Sequence, residues 1–338
     1  MAIQPFDDGS TAVSVVGSHL LVDGMGAIRC LEVAANGTGD PTPYSSKGSR
    51  GWLSGCVLDA WQILADVPSA VAALARIAHA SRYGLAARAR RPAATAAEPG
   101  DARSTIVDLP AVVVTVDLRA WLACEKRLGG DLNSLVPGFV ASLASHLDRR
   151  RSSDGAVSLV VPVSRRGEQD DERAQAMEFR MMTIAPDGLS KDLRPVNTAR
   201  ARIRGAVKNP TDVLASFLPA VAWIPRTSAK MLVNHFFNYA DVLPTSSIDM
   251  RTLPDGLARI DGAPCRHVFG RAVDVNVTRR DLERSHGHLV VVACRFDKAV
   301  SLSIEACQLG PAPTTTDELR RVASQTLADF GLDAVIDA

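Results

Sequence analysis

The sequence carries almost no net charge. Its 38 Lys and Arg residues nearly balance its 37 Asp and Glu residues, which leaves +1 over 338 residues. A chain with this balance has no general electrostatic attraction to nucleic acid or to anionic lipid. The sequence therefore predicts no nucleic-acid partner.

Neither a membrane-spanning apolar run nor a leader segment is expected from the sequence. Polar residues interrupt the apolar runs, which predicts that none of them is long enough to cross a bilayer. The first ten residues, MAIQPFDDGS, contain two acids and no basic stretch, so they do not have the pattern of a signal peptide. The expected location is the cytoplasm.

The sequence contains no G-x-S-x-G nucleophile elbow, no P-loop and no internal repeat of fixed period. Its cysteines form no C-x-x-C pair. Scattered cysteines in a chain of this size predict reduced thiols, mostly in the core, and no disulfide framework. The six are Cys30, Cys56, Cys124, Cys265, Cys294 and Cys307.

The composition is sufficient for a large hydrophobic core, with 46% hydrophobic and 22% charged residues. Strand patterns and helix patterns alternate irregularly, which predicts a mixed α/β (α+β) class. Strands are expected at 2–6, 11–18, 111–118, 156–166, 177–186, 268–277, 289–296 and 300–307. Helices are expected at 52–83, with a break at 66–68, at 119–130 and at 316–331. One further helix is expected to begin after Gly26, and another to begin at Asp131 as its N-cap. Two or three more are expected within 194–237.

Residues 84–105 are rich in Ala, Arg, Pro and Gly and have no aliphatic periodicity. This composition predicts a linker, and its arginines are more typical of a solvated segment than of a phosphate site. The chain is therefore predicted to divide into 1–85, a linker at 86–108, and 109–338.

One stretch has a chemical pattern, AVSVVGSHLLVDGMGAI at 12–28. A histidine that ends a strand can project into a crevice and accept a proton near neutral pH, which makes His19 a candidate general base. Asp23 is placed to brace the following turn through backbone amides or an arginine, and Gly24 to allow an unusual backbone conformation. The structural alternative is a core histidine that bonds to a backbone carbonyl.

Two rival patterns are weaker. The run DGMGAIR has the first two glycines of a dinucleotide-binding loop, but Arg29 occupies the third glycine position. Two pairs of potential metal ligands, His286 with His288 and Cys265 with His267, have no obvious third ligand. These residues are interpreted as loop residues, and no metal site is predicted.

The segment SHLLVDG resembles the HHxxxDG motif of the chloramphenicol acetyltransferase-like superfamily, which includes condensation domains and the wax ester synthase/diacylglycerol acyltransferase group. His19 corresponds to the second, catalytic histidine. Asp23 and Gly24 correspond to the structural acid and glycine. Ser18 replaces the first histidine.

Later segments are similar to the wax ester synthase-type pattern in the same order. VVPVSRR matches its arginine strand at Arg166, and Asn133 matches the asparagine before a helix, although Ser134 stands where Asp is usual. In FNYADVLP only Asn238 is retained, because Phe237 and Ala240 replace a serine and a glycine. The asparagine usual near Met177 is missing.

This resemblance implies two lobes with a substrate tunnel between them. An acyl thioester of coenzyme A or of a carrier protein would be a co-substrate, and no permanently bound cofactor or metal is expected. His19 would deprotonate a hydroxyl or amine acceptor, small molecule or lipid. The candidate tunnel residues, each with an ordinary structural alternative, are Ser18, Asn133, Arg166 and Asn238.

The motif of the superfamily lies well inside its members' chains, whereas here it starts near residue 18. The resemblance therefore implies an N-terminal lobe that lacks its first part, with an exposed apolar surface that favours self-association. The alternative to an active acyltransferase is a catalytically impaired or non-catalytic binding or interface protein on the same fold.

Overall fold

The computed structural model describes residues 1–18, 21–38, 51–88, 105–131, 133–166, 176–206, 225, 243, 245–260, 262–273, 276–308 and 314–337. Two of the predicted site residues, His19 and Asn238, lie outside the described residues. So do residues 89–104 of the predicted linker and the helices expected after residue 206. The division of the chain at that linker stays a prediction.

The N-terminal segment begins with the expected hairpin. Strands β1 (Ala2–Pro5) and β2 (Thr11–Ser14) pair antiparallel, and Pro5 lies opposite Thr11. The connecting turn is closed by the Asp8 carboxylate, which accepts a hydrogen bond from the Ser10 amide at 2.9 Å. Gly9 adopts φ +78°, a conformation that glycine reaches without a steric penalty.

Two helices follow, and the second corrects two expectations. Helix α1 spans Gly24–Ala35, and helix α2 spans Trp52–Arg88 without the break expected near Pro68. Proline removes one helical hydrogen bond, but the Ala-rich turns after it favour continuation. Within α2, Trp52–Ala75 is 24 residues long and, by length and composition, apolar enough to cross a membrane. The expectation that every apolar run is too short is therefore wrong.

The rest of the described chain is built around one seven-stranded sheet, ordered β11-β3-β10-β9-β6-β4-β5. Strand β6, which lies between β9 and β4, runs parallel to both, and the other pairs are antiparallel. The strands are β3 (Ala111–Asp117), β4 (Val157–Ser164), β5 (Met177–Ile184), β6 (Thr245–Thr252), β9 (His288–Phe296), β10 (Ala299–Cys307) and β11 (Ala334–Asp337). Short β7 (Arg259–Ile260) and β8 (Ala263–Pro264) form a separate pair. The expected mixed α/β class is confirmed.

Helices pack on one face of this sheet and form the main core. Trp121, Phe139 and Phe330 are fully buried there with the valines and leucines of the strands. The helices of this layer are α3 (Leu118–Arg127), α4 (Leu135–His146), α5 (Arg194–Ala206) and α7 (Thr316–Asp329). A further helix, α6 (Arg279–Ser285), precedes β9.

Two local predictions are wrong. The described part of 268–277 contains no strand, and its Val268 instead packs beside a small apolar cluster on the second face of the sheet. Asp131 does not cap α4, since its carboxylate pairs with Arg200 and Arg204 of α5. The buried Glu125 carboxylate accepts from the Ser134 and Leu135 amides at 2.7 and 2.9 Å and so satisfies the first turn of α4.

Candidate active site

Asp23 begins α1 as its N-cap and is almost completely buried, with 2% of its surface exposed. One carboxylate oxygen, Oδ1, accepts a hydrogen bond from the Gly26 amide at 2.8 Å. An N-cap carboxylate satisfies an amide that the helix leaves unpaired, and it complements the positive end of the helix dipole. The local sequence Asp-Gly-Met-Gly thus determines where α1 begins.

The same carboxylate ties the start of α1 to the sheet. Arg166, just beyond β4, donates from Nη2 to Asp23 Oδ1 at 2.8 Å, and the Ala176 amide, just before β5, donates to Oδ2 at 2.8 Å. We call Asp23, Arg166 and Ala176 the Asp23 brace. Arg166 lies 143 positions after Asp23 in the sequence, and Ala176 lies 153 positions after it. The Asp23 brace therefore fixes the turn to the end of the β4–β5 pair.

Burial alone raises the pKa of Asp23, because desolvation disfavours the charged form. The hydrogen bonds from Ala176, Arg166 and Gly26 outweigh it, and the net result is a pKa below the usual aspartate value. Asp23 is therefore an anion at neutral pH, with its charge directed to Arg166 and two backbone amides. This is the bracing role that the sequence predicts for it.

The role expected for Gly24 is corrected, and a second glycine is more constrained. Gly24 does not have a positive φ, and a Cβ there would lie 3.4 Å from Met250 Cε, an ordinary contact. A Cβ on Gly26 would lie 2.5 Å from Val22 Cγ2 and 3.0 Å from Arg166 Nη2. Gly26 therefore allows the close approach of Arg166, and its spacing two residues after Gly24 is the sequence signal for it.

The buried side of α1 packs on the second face of the sheet. Ile28 contacts an apolar cluster that includes Leu253, Leu257, Cys294 and Phe296. The short helical turn Asp255–Ala258 lies against the end of α1, where a Cβ on Gly256 would be 2.5 Å from Asn36 Nδ2. The helix after the motif is thus held at its start by charge and in its second turn by the apolar packing of Ile28.

A second charged group borders the Asp23 brace. Glu178 is buried on β5 and accepts from Arg165 Nε at 2.6 Å and from Arg180 Nη2 at 2.7 Å. The hydrogen bond from Arg165 is the largest of the effects that lower the pKa of Glu178. The amide of Arg165 also donates to the Ala176 carbonyl at 2.6 Å, so Arg165 is fixed to the start of β5 by both its backbone and its side chain.

The structure brings together three of the seven predicted site residues: Asp23, Gly24 and Arg166. Ser18 lies one turn earlier, and its carbonyl accepts from the Leu21 amide at 2.9 Å. Asn133 precedes α4 and has a backbone φ of +75°. The turn that contains it contacts α3 and α5. Its side-chain Oδ1 is buried and has no hydrogen-bond partner among the described residues. His19 and Asn238 lie outside the described residues, so their roles stay predictions.

The two histidine and cysteine pairs considered as metal ligands, His286 with His288 and Cys265 with His267, lie in the described part of the chain. Within the described ranges no group of three or more His, Cys, Asp or Glu residues could hold a metal ion. His288 instead lies with its Nε2 3.1 Å from the Glu305 carboxylate, which also accepts from Arg271 at 2.7 Å.

Comparison with known proteins finds no matching family model and no matching curated protein. Solved structures do match. The first condensation domain of the calcium-dependent antibiotic synthetase is 13% identical with a TM-score of 0.43, and the match covers 94% of this chain and 65% of that one. The wax ester synthase/diacylglycerol acyltransferase from Marinobacter aquaeolei VT8 is 13% identical with a TM-score of 0.43, covering 78% of this chain and 56% of that one.

The epimerization domain from the third module of tyrocidine synthetase B is 11% identical with a TM-score of 0.45, and the match covers 92% of this chain and 67% of that one. The similar structures thus include the condensation domains and the wax ester synthase-type enzyme group that the sequence motifs resemble. This chain spans about two thirds of the length of the condensation domains that it matches.

Proposed function

We propose that this protein is an acyltransferase that moves an acyl group from a thioester to a hydroxyl or amine acceptor. The observation that carries the proposal is the Asp23 brace. The motif H-x-x-x-D-G has its acid buried, ionised and tied to Arg166 and to the Gly26 and Ala176 amides. A carboxylate with three such partners positions the segment around it and has little capacity left for proton transfer of its own.

His19 is the general base in this proposal. It takes the proton from the acceptor hydroxyl or amine while the acceptor oxygen or nitrogen attacks the thioester carbonyl. The tetrahedral oxyanion that forms then collapses, the carbon–sulfur bond breaks, and the departing thiolate takes the proton from His19. Asp23 is a positioning residue, because it acts by holding the turn that follows His19.

The donor is an acyl thioester of coenzyme A or of a carrier protein, and it is consumed as a co-substrate. Because donor and acceptor are held end to end in one tunnel, much of the rate comes from their proximity. Candidate tunnel residues remain Ser18, Asn133, Arg166 and Asn238. Of these, Arg166 is already engaged by Asp23.

The proposal is tested by thiol release from a panel of acyl-coenzyme A donors with alcohol and amine acceptors. Removal of a general base costs roughly 10²–10⁴ in rate, so His19→Ala should nearly abolish acceptor-dependent thiol release. The control is His267→Ala, which removes an exposed histidine and should leave the rate unchanged.

Equal rates in His19→Ala and the parent chain would contradict the role of His19. A parent chain that binds acyl-coenzyme A tightly but transfers nothing to any acceptor on the panel would support the alternative, a non-catalytic binding protein.

A further inference from the structure

The first 24 residues of helix α2, Trp52–Ala75, are apolar and lie mostly in solvent. Of the most apolar stretch in Trp52–Ala75, only 11% of the residues are buried. The side chains that it exposes are large, and they belong to Trp52, Leu53, Val57, Leu58, Trp61, Ile63, Leu64, Val71 and Leu74. An exposed apolar patch of this extent marks an interaction surface.

The exposed side chains cover most of the helix circumference. At 100° per residue they spread over an arc of about 240°, and among residues 52–75 no charged residue falls within it. The two acids of the stretch, Asp59 and Asp66, lie seven residues apart and share one narrow stripe with Gln62 and Ser69. Among residues 52–75 two are buried: Ala73 lies within that stripe, and Ala70 lies at the edge of the arc beside it, at the angle of Trp52.

The polarity of α2 is therefore opposite to that of an ordinary surface helix. In a soluble protein the apolar stripe faces the core and the charged face meets water. Here small and polar residues lie on the side with the buried alanines, and the wide uncharged arc faces outward. We call these outward residues the α2 apolar arc.

The width of the arc favours lipid over a protein partner. A neighbouring helix, including α2 of a second copy, covers a stripe of roughly 100° and would leave more than half of the arc in water. Hydrocarbon covers any width and needs no complementary charges. Tryptophan, present at both Trp52 and Trp61, is the side chain that favours the boundary between lipid and water.

We propose that the α2 apolar arc docks this protein on a lipid bilayer, with the helix lying along the membrane surface. An in-plane helix keeps the stripe of Asp59 and Asp66 at the headgroups. A spanning helix would instead carry both acids into the hydrocarbon, where carboxylates are strongly disfavoured. This docking does not depend on whether His19 is catalytic.

Flotation of the full chain with phosphatidylcholine vesicles tests the proposal. The vesicles are zwitterionic, because the arc is uncharged, so binding should change less than about twofold between 0.1 and 0.5 M salt. Replacement of Val57 and Leu64 by Glu should weaken partitioning roughly tenfold or more, because both charges would enter the apolar layer. Fluorescence of Trp52 and Trp61 should shift to the blue on binding in the parent chain and not in the Val57→Glu with Leu64→Glu variant.

The matched control is Val335→Glu with Leu122→Glu, which makes the same composition and charge change at exposed positions outside α2 (Val57 is 67% exposed and Val335 63%). This variant should bind vesicles like the parent. A folded parent chain that does not float with vesicles would overturn the proposal, as would equal losses in the two double variants. So would a vesicle-free dimer that Val57→Glu with Leu64→Glu dissociates, because the occupant of the arc would then be a second copy.

Discussion

At the scale of single residues, the assembly of the motif depends on one carboxylate. Asp23 is buried beside Arg166, whose side chain is 18% exposed, so water screens their interaction only weakly. Removal of one partner of a buried pair leaves the other charge without compensation. Asp23 could be predicted as a brace because an acid before a Gly-rich helix start is typical of an N-cap. Its distant partner Ala176 could not, because a backbone amide has no sequence signature.

We expect Asp23→Ala to lower the free energy of unfolding by about 3 kcal/mol, the usual cost of breaking a buried pair. Urea unfolding measures it. A double-mutant cycle with Arg166→Ala should give clear non-additivity, since the second substitution removes a charge already uncompensated. The same cycle on the exposed pair Arg150–Asp187 should show weaker coupling, of at most about 1 kcal/mol. Additive losses at Asp23 and Arg166 would show that the pair does not act as a unit.

Acid should weaken the contribution of Asp23. Its pKa is lower in the folded chain than the usual 3.8, so its stabilisation is fully present above that value and is lost as the pH falls through the folded pKa. The stability difference between the parent chain and Asp23→Asn should therefore be constant near neutral pH and shrink below about pH 4. Urea unfolding at several pH values measures it, and a difference that grows in acid would contradict the lowered pKa.

At the scale of elements, the start of α1 is limited by the space around Gly26. A methyl group there overlaps Val22 and approaches Arg166, whereas one on Gly24 meets only Met250 at contact distance. Gly26→Ala should cost roughly 1–3 kcal/mol by overpacking. Gly24→Ala should be neutral or slightly stabilising, because alanine restricts the unfolded chain more than glycine. Thermal unfolding of the two variants decides the point, and equal effects would refute the packing argument.

The first turn of α4 depends on Glu125 of the preceding helix. Glu125→Ala would leave the buried amides of Ser134 and Leu135 without an acceptor, at a cost of about 1–3 kcal/mol for each. Asp131→Ala should cost less, because the Asp131 side chain is 41% exposed and one of its two partners, Arg204, is 58% exposed. Chemical unfolding compares the two variants, and a larger loss at Asp131 would restore it as the cap of α4.

Apolar periodicity predicted the strands whose alternate side chains enter the core, such as β3, β9 and β10. It missed β6, because this strand buries polar residues: Thr245 accepts from Arg149, and Ser247 is 2% exposed. The opposite error at 268–277 arose from an apolar segment that covers a face of the sheet instead of joining it. There the Val268 carbonyl accepts from Cys294 Sγ, and Gly270 lies against Met250.

At the scale of the whole molecule, one large sheet positions both the motif and the helix after it. The ends of β4 and β5 hold Asp23, and the second face of the sheet holds α1 through Ile28. Sequence similarity predicted that Arg166 belongs with the motif, because the two segments occur together in the resembled family. The resemblance predicted an exposed apolar surface on the N-terminal lobe, but the sequence pattern did not assign that surface to α2, since burial depends on what the remaining chain covers.

The most direct test of the account compares activity and stability in two variants of the motif. Acceptor-dependent thiol release and urea unfolding are measured for His19→Ala and Asp23→Ala beside the parent chain. If His19 is the base and Asp23 the brace, His19→Ala loses roughly 10²–10⁴ in rate with its free energy of unfolding unchanged, whereas Asp23→Ala loses activity and stability together. A His19→Ala variant that transfers acyl groups at the parent rate, or that loses stability as Asp23→Ala does, would contradict the account.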